Sequence, residues 1–187
     1  APLATTGTWQ EVPGRELLNA AWQHSGPLPV VAENLGVITS EVESLRHDFG
    51  LPGMHVLQFA FDGFHNNPHL PERHEVNGVV YTGTHDNDTA LGWFQALDEG
   101  SLKTVLEVLG QNRFNMPDAL IRAALDSRCR LAVIPMQDLL GLDSSARMNV
   151  PGRAEGQWCW RFSWPQVTHV VAAKWRQSIV RARRQPA

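Results

Sequence analysis

Cysteine is scarce in this chain: Cys129 and Cys159 are the two present among 187 residues. Two thiols cannot form a disulfide framework, and their scarcity favours a reducing, cytoplasmic setting. Long apolar runs are missing too, which excludes a membrane-spanning helix. The opening residues, Ala1 to Gly7, carry neither a charged region nor an apolar stretch, so they do not form a signal peptide. With no initiator Met, the start reads as processed or as that of a fragment. Excess positive charge is also lacking. Sixteen Lys and Arg stand against 19 Asp and Glu, a net charge of −3, and no basic field draws the chain to nucleic acid or to anionic lipid. The basic stretch from Lys174 to Arg184 has the spacing of a terminal helix with one solvated face.

Several chemistries are excluded in the same way. No Gly-rich phosphate loop is found, and no Ser or Cys stands in a nucleophile-elbow context, which disfavours a small open α/β hydrolase. Residues 84–89, Thr-His-Asp-Asn-Asp-Thr, have the alternating oxygens of a calcium loop without its glycine at the sixth position. His65, His69 and His74 have metal-like spacings. Pro68 and Pro71 break any helix that would align them, so the segment reads as a solvent-facing loop. Neither a metal nor a cofactor is implied.

What the sequence does contain is an ordinary globular core, 43% hydrophobic and 19% charged. Apolar β-branched runs at Leu28–Ala32, Met54–Phe61, Val79–Thr82 and Leu131–Pro135 are expected strands. Helices are expected over Arg15–His24, Thr39–Phe49, Ala90–Leu97, Leu102–Leu109, Pro117–Ser127 and from about Gln166 to Arg184. Strands alternating with helices mean a parallel α/β arrangement. No linker divides residues 1–187, so a single domain is expected. Four strands are half of what a closed (β/α)8 barrel needs.

Two of these runs end in carboxylates. Pro29 to Ala32 leads into Glu33, and Val79 to Gly83 leads into His85, Asp86 and Asp88. Acidic residues at the C-terminal ends of parallel strands are how a barrel builds a site, and a carboxylate pair is the minimum equipment for cutting a glycosidic bond. Asp88 is expected to cap the helix that follows. Trp93, Trp158, Trp160 and Trp164 can stack on sugar faces, with at least half of them expected to serve the core.

Four segments carry a family resemblance: Pro29 to Thr39, Phe49 to Phe61, Tyr81 to Trp93, and Gln137 to Asn149 with its Ala146-Arg147-Met148-Asn149. Their order and content resemble the 4-alpha-glucanotransferases of the amylomaltase family, from about Trp9 to the C-terminus. The resemblance implies the later half of a (β/α)8 barrel, strands five to eight. It also implies cleavage of an α-1,4-glucan with transfer of the cut piece to another glucan's 4-hydroxyl. It assigns Glu33 as general acid/base, Asp86 as the carboxylate that stabilises the transition state, His85 as a ligand of the sugar at the cleavage point and Phe59 as a wall of the donor site. The family's nucleophile, an aspartate in an Arg-x-Asp context before the acid/base, has no counterpart ahead of Glu33. The chain is therefore expected to need the missing N-terminal half of the same enzyme as its partner and a malto-oligosaccharide or a starch- or glycogen-derived glucan as its substrate. The competing expectation is a non-catalytic half-barrel that binds malto-oligosaccharides.

Overall fold

A computed structural model describes residues 6–8, 10–27, 29–110, 112 and 116–184. The chain divides between Pro52 and Gly53 into two compact units.

The first unit holds α1 (Gly14–Ser25) and α2 (Ser40–Asp48). Trp22 of α1 lies 5.9 Å from the Phe49 ring, ring centre to ring centre. Arg15 adds its guanidinium over the same ring and an ion pair with Asp48. α2 stops where Gly50 takes φ +61°, a left-handed turn open to glycine, and Leu51 N–H reaches back to Arg46 O at 3.0 Å. The expected strand Leu28–Ala32 does not form: residues 29–35 are irregular, and Leu28 lies outside the described residues. A parallel strand exists through its neighbours. Here the ladder is replaced by a bond from Ala32 N–H to Pro52 O (2.9 Å), and Val30 and Val31 stay exposed.

The second unit is built on a parallel sheet of β1 (Gly53–Val56), β2 (Gly78–Tyr81) and β3 (Leu131–Val133), in the order β1-β2-β3. Val56 is in register with Tyr81, and Tyr81 with Val133. All three C-terminal ends thus share one edge. Around the sheet lie α3 (Ala90–Gln95), α4 (Glu99–Leu109), α5 (Asp118–Asp126), the single turn α6 (Met136–Leu139) and α7 (His169–Arg181). The main core gathers Leu57, Ala60, Val80, Ala90, Val105, Leu120 and Ala124. Trp175 of α7 fills a second cluster with Ile121 and Leu125, and its indole N–H donates to Leu139 O (2.8 Å).

Several expected elements change length, among them β3, which ends at Val133, and α7, which spans His169–Arg181; two changes have a clear local cause. The run Met54–Phe61 is strand only to Val56, then turns into a 3₁₀ helix, Leu57–Phe59. Leu57 and Ala60 are both buried, a spacing that suits a turn rather than a pleat, and Ala60 N–H bonds Leu57 O at 3.0 Å. α4 begins earlier than expected, because the Asp98 carboxylate accepts from Ser101 N–H (2.9 Å) and caps it.

The histidine loop also departs from expectation. His65 is exposed, but His74 is 1% exposed. His74 Nε2 donates to His69 O (2.9 Å), which places a proton on that nitrogen, and Nδ1 faces Ser127 Oγ (2.7 Å). His69 Nδ1 accepts from Val56 N–H (3.2 Å). Buried polar atoms must be paired, and the 62–77 loop uses imidazoles to meet backbone groups that no ladder serves.

Candidate functional site

Glu33 belongs to the first unit, where it is exposed in the irregular stretch after Ala32. The loop is fixed one residue on. Asn34 Nδ2 donates to Glu43 Oε1 (2.9 Å), and Arg46, itself 4% exposed, donates to Glu43 Oε2 (2.8 Å) and to Leu51 O (3.0 Å). Burial pushes the Glu43 carboxyl up, but the bonds from Asn34 and Arg46 outweigh it and hold the carboxyl below its ordinary value. Glu33 thus rides on a loop tied to α2 through a charged side chain.

The other predicted residues lie at the C-terminal edge of the sheet. β2 runs into Thr82 and then a tight turn in which Asn87 Oδ1 accepts from Thr84 N–H (2.9 Å) and Thr84 Oγ1 (2.8 Å). That turn lifts His85 and Asp86 out of the sheet, each about half exposed. Asp86 is gripped twice. Asn149 Nδ2 donates to Asp86 Oδ1 at 2.6 Å, and Arg147 Nη2 donates to Asp86 O at 2.7 Å. Arg147 is in turn set by its Nε bond to Asn149 O (2.8 Å). His85 Nε2 lies 3.5 Å from Asp86 Oδ1, and its ring lies 4.9 Å from that of Trp158, tilted by 37°. His85, Arg147 and Trp158 also line a cavity of about 160 Å³, together with Thr84, Asp88 and Gln137; Asp86 and Asn149 are not part of its lining.

Phe59 closes the 3₁₀ turn that follows β1, 44% exposed and edge-on to His69 at 5.6 Å. An exposed aromatic there offers a flat apolar face to whatever binds. Asp88 does not cap α3. Thr89 does, its Oγ1 accepting from Gly92 N–H (3.0 Å). Asp88 instead accepts from Thr89 N–H (2.7 Å) and from Ser144 Oγ (2.6 Å), because its carboxylate stands one residue too early to reach the open N–H groups of α3. Of the four tryptophans, Trp93 packs on the core, while Trp158 and Trp164 are 52% and 76% exposed.

Sequence reasoning gave no role to Asp138, and the structure gives it one. Asp138 is 1% exposed, accepts from Thr82 Oγ1 (2.6 Å) and from Ala90 N–H (2.7 Å), and so ties the end of β2 to the start of α3. Burial raises its carboxyl above the ordinary value despite those two bonds. Arg147 and Asn149 were visible as a motif without a task. Their task follows from topology: β2 and β3 are parallel neighbours, so the loops leaving both strands meet at one edge.

A short parallel sheet with a carboxylate, an imidazole and exposed aromatics gathered at its C-terminal edge defines the class: a parallel α/β protein. Residues 2–168 match the profile described as 4-alpha-glucanotransferase. A chloroplastic/amyloplastic 4-alpha-glucanotransferase of Oryza sativa subsp. japonica is 50% identical over 160 residues, 85% of this chain and 27% of the relative. That of Thermus thermophilus is 48% identical over 168 residues, 86% of this chain and 34% of the relative. The amylomaltase of Streptococcus agalactiae, solved in complex with acarbose, superposes with a TM-score of 0.89 at 31% identity, covering 95% of this chain and 36% of that one. The chain belongs to the 4-alpha-glucanotransferase family, and it spans about a third or less of the length of these relatives.

Proposed function

We propose that this chain is the later half of a (β/α)8 catalytic barrel, strands five to eight, of a 4-alpha-glucanotransferase, with no domain boundary inside it. The reaction is a retaining double displacement on an α-1,4-glucan. Glu33 protonates the leaving glycosidic oxygen, then takes the proton of the incoming 4-hydroxyl. The nucleophilic aspartate comes from outside these residues. Asp86 binds ring hydroxyls of the sugar at the cleavage point, more tightly as the ring flattens toward an oxocarbenium ion. His85 adds a bond to the same sugar, and Phe59 walls the donor side. The substrate is a malto-oligosaccharide or a starch- or glycogen-derived glucan, and the compartment is the cytoplasm.

The observation that carries this reading is the clamp on Asp86. A half-exposed carboxylate held through Asn149 at its oxygen and through Arg147 at its backbone is a group kept still for a ligand. Fixed polar groups that need no reorganisation are what stabilise a transition state.

Two incubations with maltotriose test the reading. The folded chain alone gives no glucose or longer maltodextrins, because a retaining mechanism needs a second carboxylate about 5–5.5 Å from the acid/base. Combined with the N-terminal half of a relative that carries the Arg-x-Asp strand end, it gives both, and Glu33→Gln or Asp86→Asn removes them. Turnover by the chain alone that Glu33→Gln abolishes would overturn the placement of the nucleophile. Maltotriose binding by a stable monomer, with no turnover in either incubation, would establish the binding half-barrel instead.

A further inference from the structure

The backbone of Trp158 has φ 60°, in the left-handed region that bulky residues rarely occupy. Two bonds hold it there: its N–H donates to Met148 O (2.9 Å), and its O accepts from Arg161 Nη1 (3.0 Å). Burial does not explain the conformation, since the residue is 52% exposed. Its ring does have one defined neighbour, the His85 imidazole, 4.9 Å away at an interplanar angle of 37°. Strain of this kind persists where the surroundings over-determine it, and it clusters at ligand sites.

We propose that Trp158 is a positioning residue for His85. Its left-handed turn delivers the indole face against the imidazole and keeps that ring in one orientation at the cavity they share. On its other side His85 has Asp86 Oδ1, 3.5 Å from Nε2. An imidazole 55% exposed and without the indole would move among rotamers. One stretch of chain then secures both members of the pair: Arg147 and Asn149 fix Asp86, and Trp158, whose N–H is anchored on Met148 between them, fixes His85. The assignment rests on the reading of His85 as a sugar ligand.

The test compares Trp158→Gly, Trp158→Phe, His85→Ala and the double variant Trp158→Gly/His85→Ala. Glycine suits φ 60°, so the first variant removes the ring while keeping the backbone. In wild type the His85 ring-proton resonances are expected upfield, shifted by the indole 4.9 Å away. In Trp158→Gly they move to the positions of a solvated histidine, and Trp158→Phe retains part of the shift. Affinity for acarbose, read by calorimetry, falls on the order of tenfold in Trp158→Gly and in His85→Ala, and the double variant loses no more than either. Unmoved His85 resonances in Trp158→Gly, or losses that add in the double variant, would overturn the proposal. If wild type binds no acarbose, the sugar reading of the site falls, and the Trp158 assignment is decided by the resonances.

Discussion

Asp138 shows how much a single buried carboxylate can organise. Its two oxygens serve the Thr82 hydroxyl and the Ala90 N–H, one at each end of the segment that carries His85 and Asp86. Replacing it by Ala leaves both groups buried without an acceptor, at a cost of about 2–4 kcal/mol. Asn keeps an acceptor for Ala90 and a donor for the Thr82 oxygen, so Asp138→Asn loses less than half as much. Urea unfolding of the two variants checks the order. His74 gives a pH-dependent counterpart. Burial lowers its pKa from 6.5 to about 4, because the charged form loses its hydration and the bond to His69 O only partly offsets that loss. The fold thus favours neutral His74. Its contribution is intact above pH 6.5 and lost as pH falls from 6.5 toward 4, amounting to roughly 3 kcal/mol. Thermal midpoints measured across that window should fall steeply in wild type and less steeply in His74→Gln. At this scale the sequence placed Asp86 after a strand that does form, β2, whereas Glu33 was picked out at the end of a strand that does not. It was mute for Asp138 and misread the buried His74 as part of a solvent-facing loop, because their importance comes from partners 56, 48 and 53 positions away.

Among the elements, α3 is placed by the absence of a side chain. A Cβ on Gly92 would run into Ser144 Oγ and lie 2.7 Å from Ser144 N. Ala is favoured over Gly inside a helix by about 1 kcal/mol, but here the added carbon meets backbone, and the Ser144 to Asp88 bond would have to give way. Overpacking of this kind costs about 1–3 kcal/mol plus the lost bond. Gly92→Ala is therefore expected to destabilise by about 2 kcal/mol in urea unfolding, against the sign that propensity alone predicts. Helices were the readable elements, since an apolar face is a local property, but the caps Asp98 and Thr168 were not read, and they set the starts of α4 and α7 at Glu99 and His169. Strand lengths were not readable. Where β1 stops depends on where its neighbour β2 stops, and residues 29–35 lack a neighbour of their own in the first unit.

For the molecule as a whole, alternation of strands and helices was enough to read a parallel α/β chain, and the sheet of β1, β2 and β3 agrees. What alternation cannot reveal is what lies beyond the sheet's two outer strands. β3 leaves Leu131 51% and Val133 39% exposed on one of them. Unpaired, apolar edge strands recruit other strands. The purified chain is expected to self-associate with rising concentration in sedimentation velocity, and Leu131→Lys with Val133→Lys should shift it toward monomer. A wild-type chain that stays monomeric through the high-micromolar range would mean that the edge is already protected.

The sheet's spatial order, β1-β2-β3, repeats its order along the chain, and the groups that grip Asp86 and His85 come after the last strand. A chain emerging from the ribosome can therefore lay down all three strands while the corner around His85 and Asp86 is still loose. Only when the stretch from Arg147 to Trp158 has been added does that corner set. The sheet's assembly and the maturing of the site are then separate events in time, and the second waits for the first.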